Sequence, residues 1–459
     1  MDNNKNWWTR PCGGFDVLRQ AIPLIISCGS VSLMNFTDRM FLMWLQDDSM
    51  TASWHGGMLF WTAVSIPVAI GAFVTTFVAQ YHGNGNYHRI GRIVWQGIWF
   101  GLAIMPILLL LYEPLAQVFV WFKHDGALLK LERTYYFYML FGSAAVISGE
   151  AAASYFRGQG RMRVEMCNNV FCVLLNIPLT YCLVFGKLGL PAWGLTGAVI
   201  TTVFCLWLRF LIYTALMFIH DYKANKFQVV SGMRLDFPLM GRLFYYGFPA
   251  GLYTSFDTAM FTIFLMMVGG LGQMQRDAST IAFTLNSFTY IPLNGIGIVV
   301  TSMVGNQLGR NRPDLARRAT KTALTIGTVY AGFFGILFLL LPDLLLLPFM
   351  LQEASAGVHD MSVMLLRFVA LYLFFDTCAV IFCSTLRGAG DTMFIAWTMG
   401  TLAPLMPIFC FLGIYFYKLG ILWCWTVLTC VVIAYCVAFL LRYRSKVWES
   451  MRVIEKELI

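Results

Sequence analysis

The sequence predicts an all-α polytopic membrane protein: twelve transmembrane helices in two six-helix bundles, related by a pseudo-two-fold axis along the membrane normal. Three observations lead there. The 459 residues are 59% hydrophobic and only 12% charged, against about 25% charged in ordinary soluble domains. The apolar residues come in long runs, such as 105–122 and 331–350, and runs of that length cross a hydrocarbon core of about 30 Å. The second half of the chain also repeats the first.

The runs place the spans at about 19–45, 56–80, 91–111, 131–153, 164–186, 190–217, 241–269, 278–303, 318–341, 362–386, 392–416 and 419–442. The resulting organisation is a tail (1–18), a six-helix lobe (19–217), a linker (218–240), a second six-helix lobe (241–442) and a tail (443–459). Basic residues distinguish the two sides of the membrane. The termini and the connections after spans 2, 4, 6, 8 and 10 carry 23 Lys and Arg, whereas the opposite connections carry 6. Basic segments stay in the cytoplasm, so both termini and the linker are expected there, in a bacterial inner membrane. The formal charge of +9 is thereby a topology signal, and no nucleic-acid partner is implied. Trp7 and Trp8 read as interface anchors, and the N-terminus lacks the short apolar core and cleavage site of a signal peptide.

The repeat has an offset near 226–231 residues. "AIPLIIS" at 21–27 faces "GFPAGLY" at 247–253, with Pro23 opposite Pro249. "FRGQG" at 156–160 faces "LRGAG" at 386–390, and "GKLG" at 186–189 faces "YKLG" at 417–420. The segments at 66–85 and 291–311 also match, with one extra residue in the second. Six spans return the chain to its starting side, so the second half enters in the same orientation as the first. Such parallel repeats suit alternating access around a central site. Pro23 and Pro249 each fall in the first turns of a long span, where a missing backbone donor lets a helix bend; both are hinge candidates, with a static kink as the equal alternative.

Acidic residues inside the spans carry the chemistry. An ionised Asp at the bilayer centre costs roughly 2.5–3.5 kcal/mol on insertion scales, so it should face water, a partner or a bound cation. Asp376 lies midway along span 10 with Tyr372 one turn away, and Asp257 lies mid-span with Tyr253 and Phe261 one turn to either side. A carboxylate among aromatic rings can hold a lipophilic cation by charge and cation–π attraction; a buried polar link between helices is the plainer alternative. Asp38 lies in span 1 with Asn35 three residues before it. A carboxylate and an amide oxygen together suit a hard cation such as Na⁺, although Arg39 adjoins them. Glu150 is read as a structural ion pair with Arg157, seven residues on. Asn176 and Asn286 are neutral oxygen donors for a coupling ion, and Asn286 has Phe283 and Tyr290 one turn away, which also suits substrate contact or plain helix–helix hydrogen bonding.

Other classes fit less well. There is no GxxxxGK[ST] nucleotide loop, so ATP would need a separate subunit; the ion-driven reading requires no ATP-binding subunit, and no cofactor is expected. There is no HExxH or GxSxG, and the six histidines are scattered, so no catalytic residue is assigned and no enzyme is expected. The twelve cysteines include no CxxC pair and read as small apolar filler in helices.

The chain resembles the multidrug and toxic compound extrusion (MATE) family along essentially its whole length. The resemblance is most specific in an Asp, Asp376, ten residues before "LRGAGDT", and in "GFPAGLYTSFD", where Asp257 follows Pro249 by eight residues. "IPLNGIGIVVTSMVGNQLGR" and the region from "FRGQGRMR" through Asn176 to "GLTGAV" are also similar. The resemblance implies a secondary-active exporter driven by Na⁺ or H⁺. Asp38, Asp257 and Asp376 match the acids of the NorM-like branch one by one, with Asp257 standing where the family usually has Glu. Thr180 stands where the DinF-like branch carries a second Asp. The expected function is antiport of lipophilic, cationic small molecules by alternating access. The coupling ion would use Asp38, Asn35, Asn176, Asp257 and Asp376, with Na⁺ possible at the three aspartates. The substrate would meet Tyr253, Asp257, Phe261, Phe283, Asn286, Tyr290, Tyr372 and Asp376. The expected partners are the substrate and the lipid bilayer, with the transporter a monomer. The alternative is a flippase for a lipid-linked saccharide or another amphiphile.

Overall fold

The computed structural model describes residues 6–45, 48–121, 126–222, 225–349 and 356–455; the ends of both predicted tails and part of the linker lie outside these. Among the described residues the regular structure is helical. The long helices of the first half are α1 (Gly14–Met43), α2 (Ser49–Asn84), α3 (His88–Leu110), α5 (Gly126–Gly158), α6 (Met162–Phe185) and α7 (Leu195–Tyr222), with a short α4 (Tyr112–Trp121). The second half has α8 (Phe237–Gly269), α9 (Gln273–Gly309), α10 (Pro313–Leu340), α12 (Ala356–Ala389) and α15 (Ile421–Arg444). A short α11 (Pro342–Leu346) precedes α12, and the predicted eleventh span is divided into α13 (Thr392–Leu402) and α14 (Leu405–Tyr415), with Pro404 at the break.

Eleven helical segments among the described residues are long and apolar enough to cross a membrane, α13 and α14 counting together. The predicted span at 131–153 falls within α5, which is long enough but not apolar enough. Its Lys130, Glu132, Arg133, Glu150 and Arg157 dilute the hydropathy. The helix packs between α2, α3 and α7, so most of its surface meets protein rather than lipid. This is a multi-pass membrane protein.

The helices form two compact units. One contains Ile26–Gly251; the other contains residues 6–25 together with Leu252–Glu455. The divisions fall inside α1 and α8, two residues after Pro23 and two residues after Pro249. The first turns of α1 belong to the C-terminal unit, where Thr322 donates to the Cys12 carbonyl at 3.0 Å. Conversely, the first turns of α8 belong to the N-terminal unit, where Phe244 packs edge-on against Phe100 at 4.9 Å and Tyr246 stacks on Phe73.

In the N-terminal unit α5 is the central helix, and close approach of its neighbours needs small residues. A Cβ at Gly97 would lie 2.7 Å from Ala151 Cβ, and one at Gly101 would lie 2.7 Å from the Ser148 backbone nitrogen. In the C-terminal unit α12 occupies the corresponding place, packed against α9, α10 and α15. The described parts of the linker are held in place. Trp95 and Trp99 on α3 donate to the carbonyls of Val229 and Met233 at 2.9 and 2.8 Å. The Asp221 carboxylate accepts the backbone N–H groups of Phe227 and Val229.

Candidate functional site

Acidic residues gather in three places, and each place treats them differently. In the N-terminal unit, Leu42, Ala52, Val184, Leu195 and Ala198 pack together, so α1 and α6 end, and α2 and α7 begin, at one end of the unit, termed distal. Asp38 lies five residues before the end of α1. Thr202 on α7 donates to Asp38 Oδ2 at 3.2 Å and also to the Ala198 carbonyl at 3.1 Å. Thr180 on α6 stands beside the same carboxyl and donates to Asn176 Oδ1 at 3.4 Å. Asn176 and Thr180 are fully buried, and Asp38 Oδ1 is buried without a hydrogen-bond partner. The result is a cluster of carboxylate, hydroxyl and amide oxygens. A buried orphan carboxylate oxygen demands a proton or a cation, and hard oxygens suit Na⁺. Asn35 is exposed on α1; among the described residues no hydrogen bond joins it to Asp38. Arg39 does not neutralise Asp38 by an ion pair: its guanidinium lies over the Trp54 ring, 4.2 Å from the centroid.

At the opposite end of the same unit the charges cancel. Arg157 donates through Nη1 to Glu150 and through Nε and Nη2 to the two oxygens of Glu165, all at 2.6 Å. Arg209 Nη2 approaches Glu150 to 3.7 Å. The Glu150–Arg157 pair agrees with the sequence reading, whereas Glu165 and Arg209 were not foreseen. Beside this network Asn169 donates to Ser27 on α1 at 2.6 Å, and Tyr213 donates to Asn169 at 3.3 Å.

The C-terminal unit holds Asp257 on α8 and Asp376 on α12. Asp257 is exposed and Asp376 half-buried. They are near enough for their charges to repel, and neither forms an ion pair among the described residues. Tyr290, from α9, is 37% exposed and lies near both carboxyls. Tyr253 adjoins Asp257 and Tyr290, and the Arg387 guanidinium sits 5.1 Å from its ring centroid. Tyr372 is buried beside Asp376. Asn286 is half-buried and accepts from Thr289 at 3.3 Å. Phe261 and Phe283 pack edge to face at 5.0 Å, and Phe283 stacks on Trp425 at 4.8 Å, within the apolar core of the unit. Tyr435, from α15, lies near Asp257. The sequence offered no signal for it, because its helix carries no acid and its neighbours are uniformly apolar. Thr202 was likewise missed, since threonine is ordinary in such helices.

The MatE family model matches residues 23–182 and again 249–412. The chain belongs to this family. The two matches begin 226 residues apart, at Pro23 and Pro249, so the repeat seen in the sequence is a duplication of the family unit. Across 399 residues the chain is 25% identical to the multidrug resistance protein MdtK of Edwardsiella ictaluri (strain 93-146), covering 84% of this chain and 85% of that one. Across 394 residues it is 27% identical to the multidrug resistance protein NorM of Burkholderia vietnamiensis, covering 82% of each. Among solved structures, the outward-facing conformation of a multidrug resistance MATE family transporter of the MOP superfamily superposes with a TM-score of 0.85. That match has 16% identity and covers 95% of this chain and 96% of the other. The MatE fold is thereby shared over nearly the whole chain.

Proposed function

We propose that this MatE protein exports lipophilic, cationic small molecules across a bacterial inner membrane, in exchange for Na⁺ or H⁺, with both termini in the cytoplasm. The observation that carries the reading is the pair Asp257 and Asp376: two neighbouring carboxyls inside a membrane unit, without ion-pair partners among the described residues and flanked by Tyr253, Tyr290 and Tyr372. Their repulsion is relieved by any cation that binds, and the tyrosine faces add attraction for an organic one. The relatives are named multidrug resistance proteins, which supports export of drugs.

In this reading a proton or Na⁺ competes with the organic cation at Asp257 and Asp376. The Asp38–Thr202–Thr180–Asn176 cluster holds a coupling ion in the N-terminal unit. Pro23 and Pro249 act as hinges, since each unit exchanges with the other within two residues of a proline. One charge moving down 100 mV supplies about 2.3 kcal/mol, and each tenfold ratio costs about 1.4 kcal/mol, so one net charge per cycle sustains a gradient of roughly fifty-fold. If one monovalent cation leaves for each ion that enters, the potential drops out and the ion gradient alone drives export.

The test is efflux of a fluorescent cation from proteoliposomes under separately imposed Na⁺ and pH gradients. Asp257→Asn and Asp376→Asn should each slow efflux by about 100-fold, the scale expected when a charge partner is removed from a low-dielectric site. Wild-type rates in both variants would overturn the assignment. Transport of a neutral or anionic lipid in place of the cation would favour the flippase reading.

A further inference from the structure

A buried acid that the mechanism above leaves idle lies beside the Asp38 cluster. Glu132, six residues into α5, is fully buried, and its Oε1 lies 2.6 Å from Nδ1 of His55, six residues into α2. The His55 side chain is 34% exposed. The pair therefore has one member partly exposed and one fully buried. Glu132 and His55 lie at the same depth as Asp38, Thr180 and Thr202, roughly 8–11 Å inside the distal helix ends at 1.5 Å per residue.

Tyr135, one turn along α5 from Glu132, connects the two groups. It lies within electrostatic reach of Asp38 and Arg39 and at the junction of the two apolar clusters of this unit. The contact between α2 and α5 is tight here: a Cβ at Gly56 would lie 2.8 Å from Tyr135 Cδ1 and 3.4 Å from the Glu132 carbonyl oxygen. Both members of the pair make further contacts. Among the described residues, ionisable groups near the pair come from α1 and α5. On α1 they are Asp38 and Arg39, the latter held over Trp54. On α5 they are Tyr135 and Arg133, which pairs with Glu113 of α4 at 2.6 Å. The contributions of α6 and α7 to the Asp38 cluster are the neutral Thr180 and Thr202.

We propose that His55 and Glu132 form a proton relay that loads Asp38 from the distal side. His55 accepts a proton from solvent at one ring nitrogen and passes the proton on Nδ1 to Glu132 Oε1. Glu132 then yields it past Tyr135 to Asp38, and the imidazole returns to its neutral form. Imidazole is suited to the solvent-facing step because it gains and loses a proton near neutral pH. An imidazole nitrogen is a poor ligand for Na⁺, which takes hard oxygen donors, so the relay carries H⁺. It rests on the reading of Asp38 as a coupling site.

The experiment is export of ethidium from proteoliposomes driven by a proton gradient alone, with each rate referred to wild-type vesicles at the same imidazole concentration. His55→Ala should slow export by about 100-fold, the lower end for loss of a positioned proton carrier, and millimolar imidazole should restore most of the loss. Glu132→Gln keeps the shape and an oxygen acceptor but carries no proton; it should be equally slow and should not respond to imidazole. Rescue by imidazole separates proton transfer from a packing role, which a soluble base would not repair. His55→Gln, which keeps a hydrogen-bonding side chain, should match His55→Ala. The relay is wrong if either His55 variant transports at the wild-type rate, if imidazole restores nothing to His55→Ala, if Glu132→Gln is unaffected, or if a proton gradient fails to drive the wild type. Asp38→Asn separates the two levels. Normal export by that variant removes the coupling reading itself, whereas its failure beside an intact Glu132→Gln removes only the relay.

Discussion

Each unit holds a buried carboxylate paired with an arginine, Glu165 with Arg157 in one and Asp391 with Arg442 in the other, but the two treat the remaining acids inside their long helices differently. In the N-terminal unit Glu150 and Glu165 are matched by Arg157 and Arg209, Glu132 meets His55, and Asp38 is wrapped by the neutral oxygens of Thr202, Thr180 and Asn176. In the C-terminal unit Asp257 and Asp376 lie near enough for their charges to repel, with Tyr290 near both. The first arrangement locks helices together and leaves one site of small-ion size. The second keeps two like charges apart from any fixed partner, which makes them available to something that comes and goes. Duplication therefore produced one scaffold twice and two kinds of electrostatics.

The sharpest way to break this contrast is thermal stability in detergent. Glu165→Ala leaves Arg157 with half its compensation and should cost about 3–5 kcal/mol, as expected for an uncompensated buried charge. Asp257→Asn and Asp376→Asn should leave stability unchanged or raise it, because each removes a repulsion. Similar losses from all three would mean that the C-terminal acids are also structural.

A smaller effect sharpens the ion-site half of the comparison. Thr202→Val removes the hydroxyl that donates to Asp38 but keeps the side-chain shape. Loss of one hydrogen bond of about 1 kcal/mol to the ionised carboxylate should strengthen the apparent affinity for H⁺ at Asp38 about fivefold, with little change in affinity for the organic cation. A shift in the organic cation alone would place substrate at the wrong unit.

The smallest effect concerns which unit owns the start of α1. Cys12 is 4% exposed, and burial pushes its thiol up to about 11. At pH 8 about one thiol in a thousand is then ionised, and the thiolate is the reactive form. Maleimide labelling of Cys12 should be slow and should rise about tenfold per pH unit toward 11. Thr322→Val, which removes the hydrogen bond to the Cys12 carbonyl, should speed it a few-fold. Fast labelling at pH 7 in the unmodified chain would show that the first turns of α1 are not packed on α10.

The acids show how far the linear sequence reaches. Asp257 and Asp376 stand out because a carboxylate within an apolar run is conspicuous whatever surrounds it, and Tyr253, Tyr372 and Phe261 follow from helical spacing. The same spacing suggested Asn35 as a partner for Asp38, yet the partners come from α7 and α6. Spacing also placed Phe261 beside Asp257 and Phe283 beside Asn286, but it did not show the packing of Phe261 on Phe283 and of Phe283 on Trp425. Periodicity reports which residues share a face of one helix, but it carries no information about which other helix meets that face.

Hydropathy, the placement of basic residues and the 226-residue repeat determined from the sequence alone that the chain is a duplicated membrane-helix protein with acids inside its spans. These are local or additive properties, summed along the chain. The tertiary structure decided the partnerships: Arg157 with both Glu150 and Glu165, Arg39 over Trp54 instead of beside Asp38, and Glu132 sealed beneath His55. Each is a choice among several side chains that sequence distance does not rank. It is made by helix packing, because in a low-dielectric interior a charge is stable only where packing has already brought a partner within hydrogen-bonding distance.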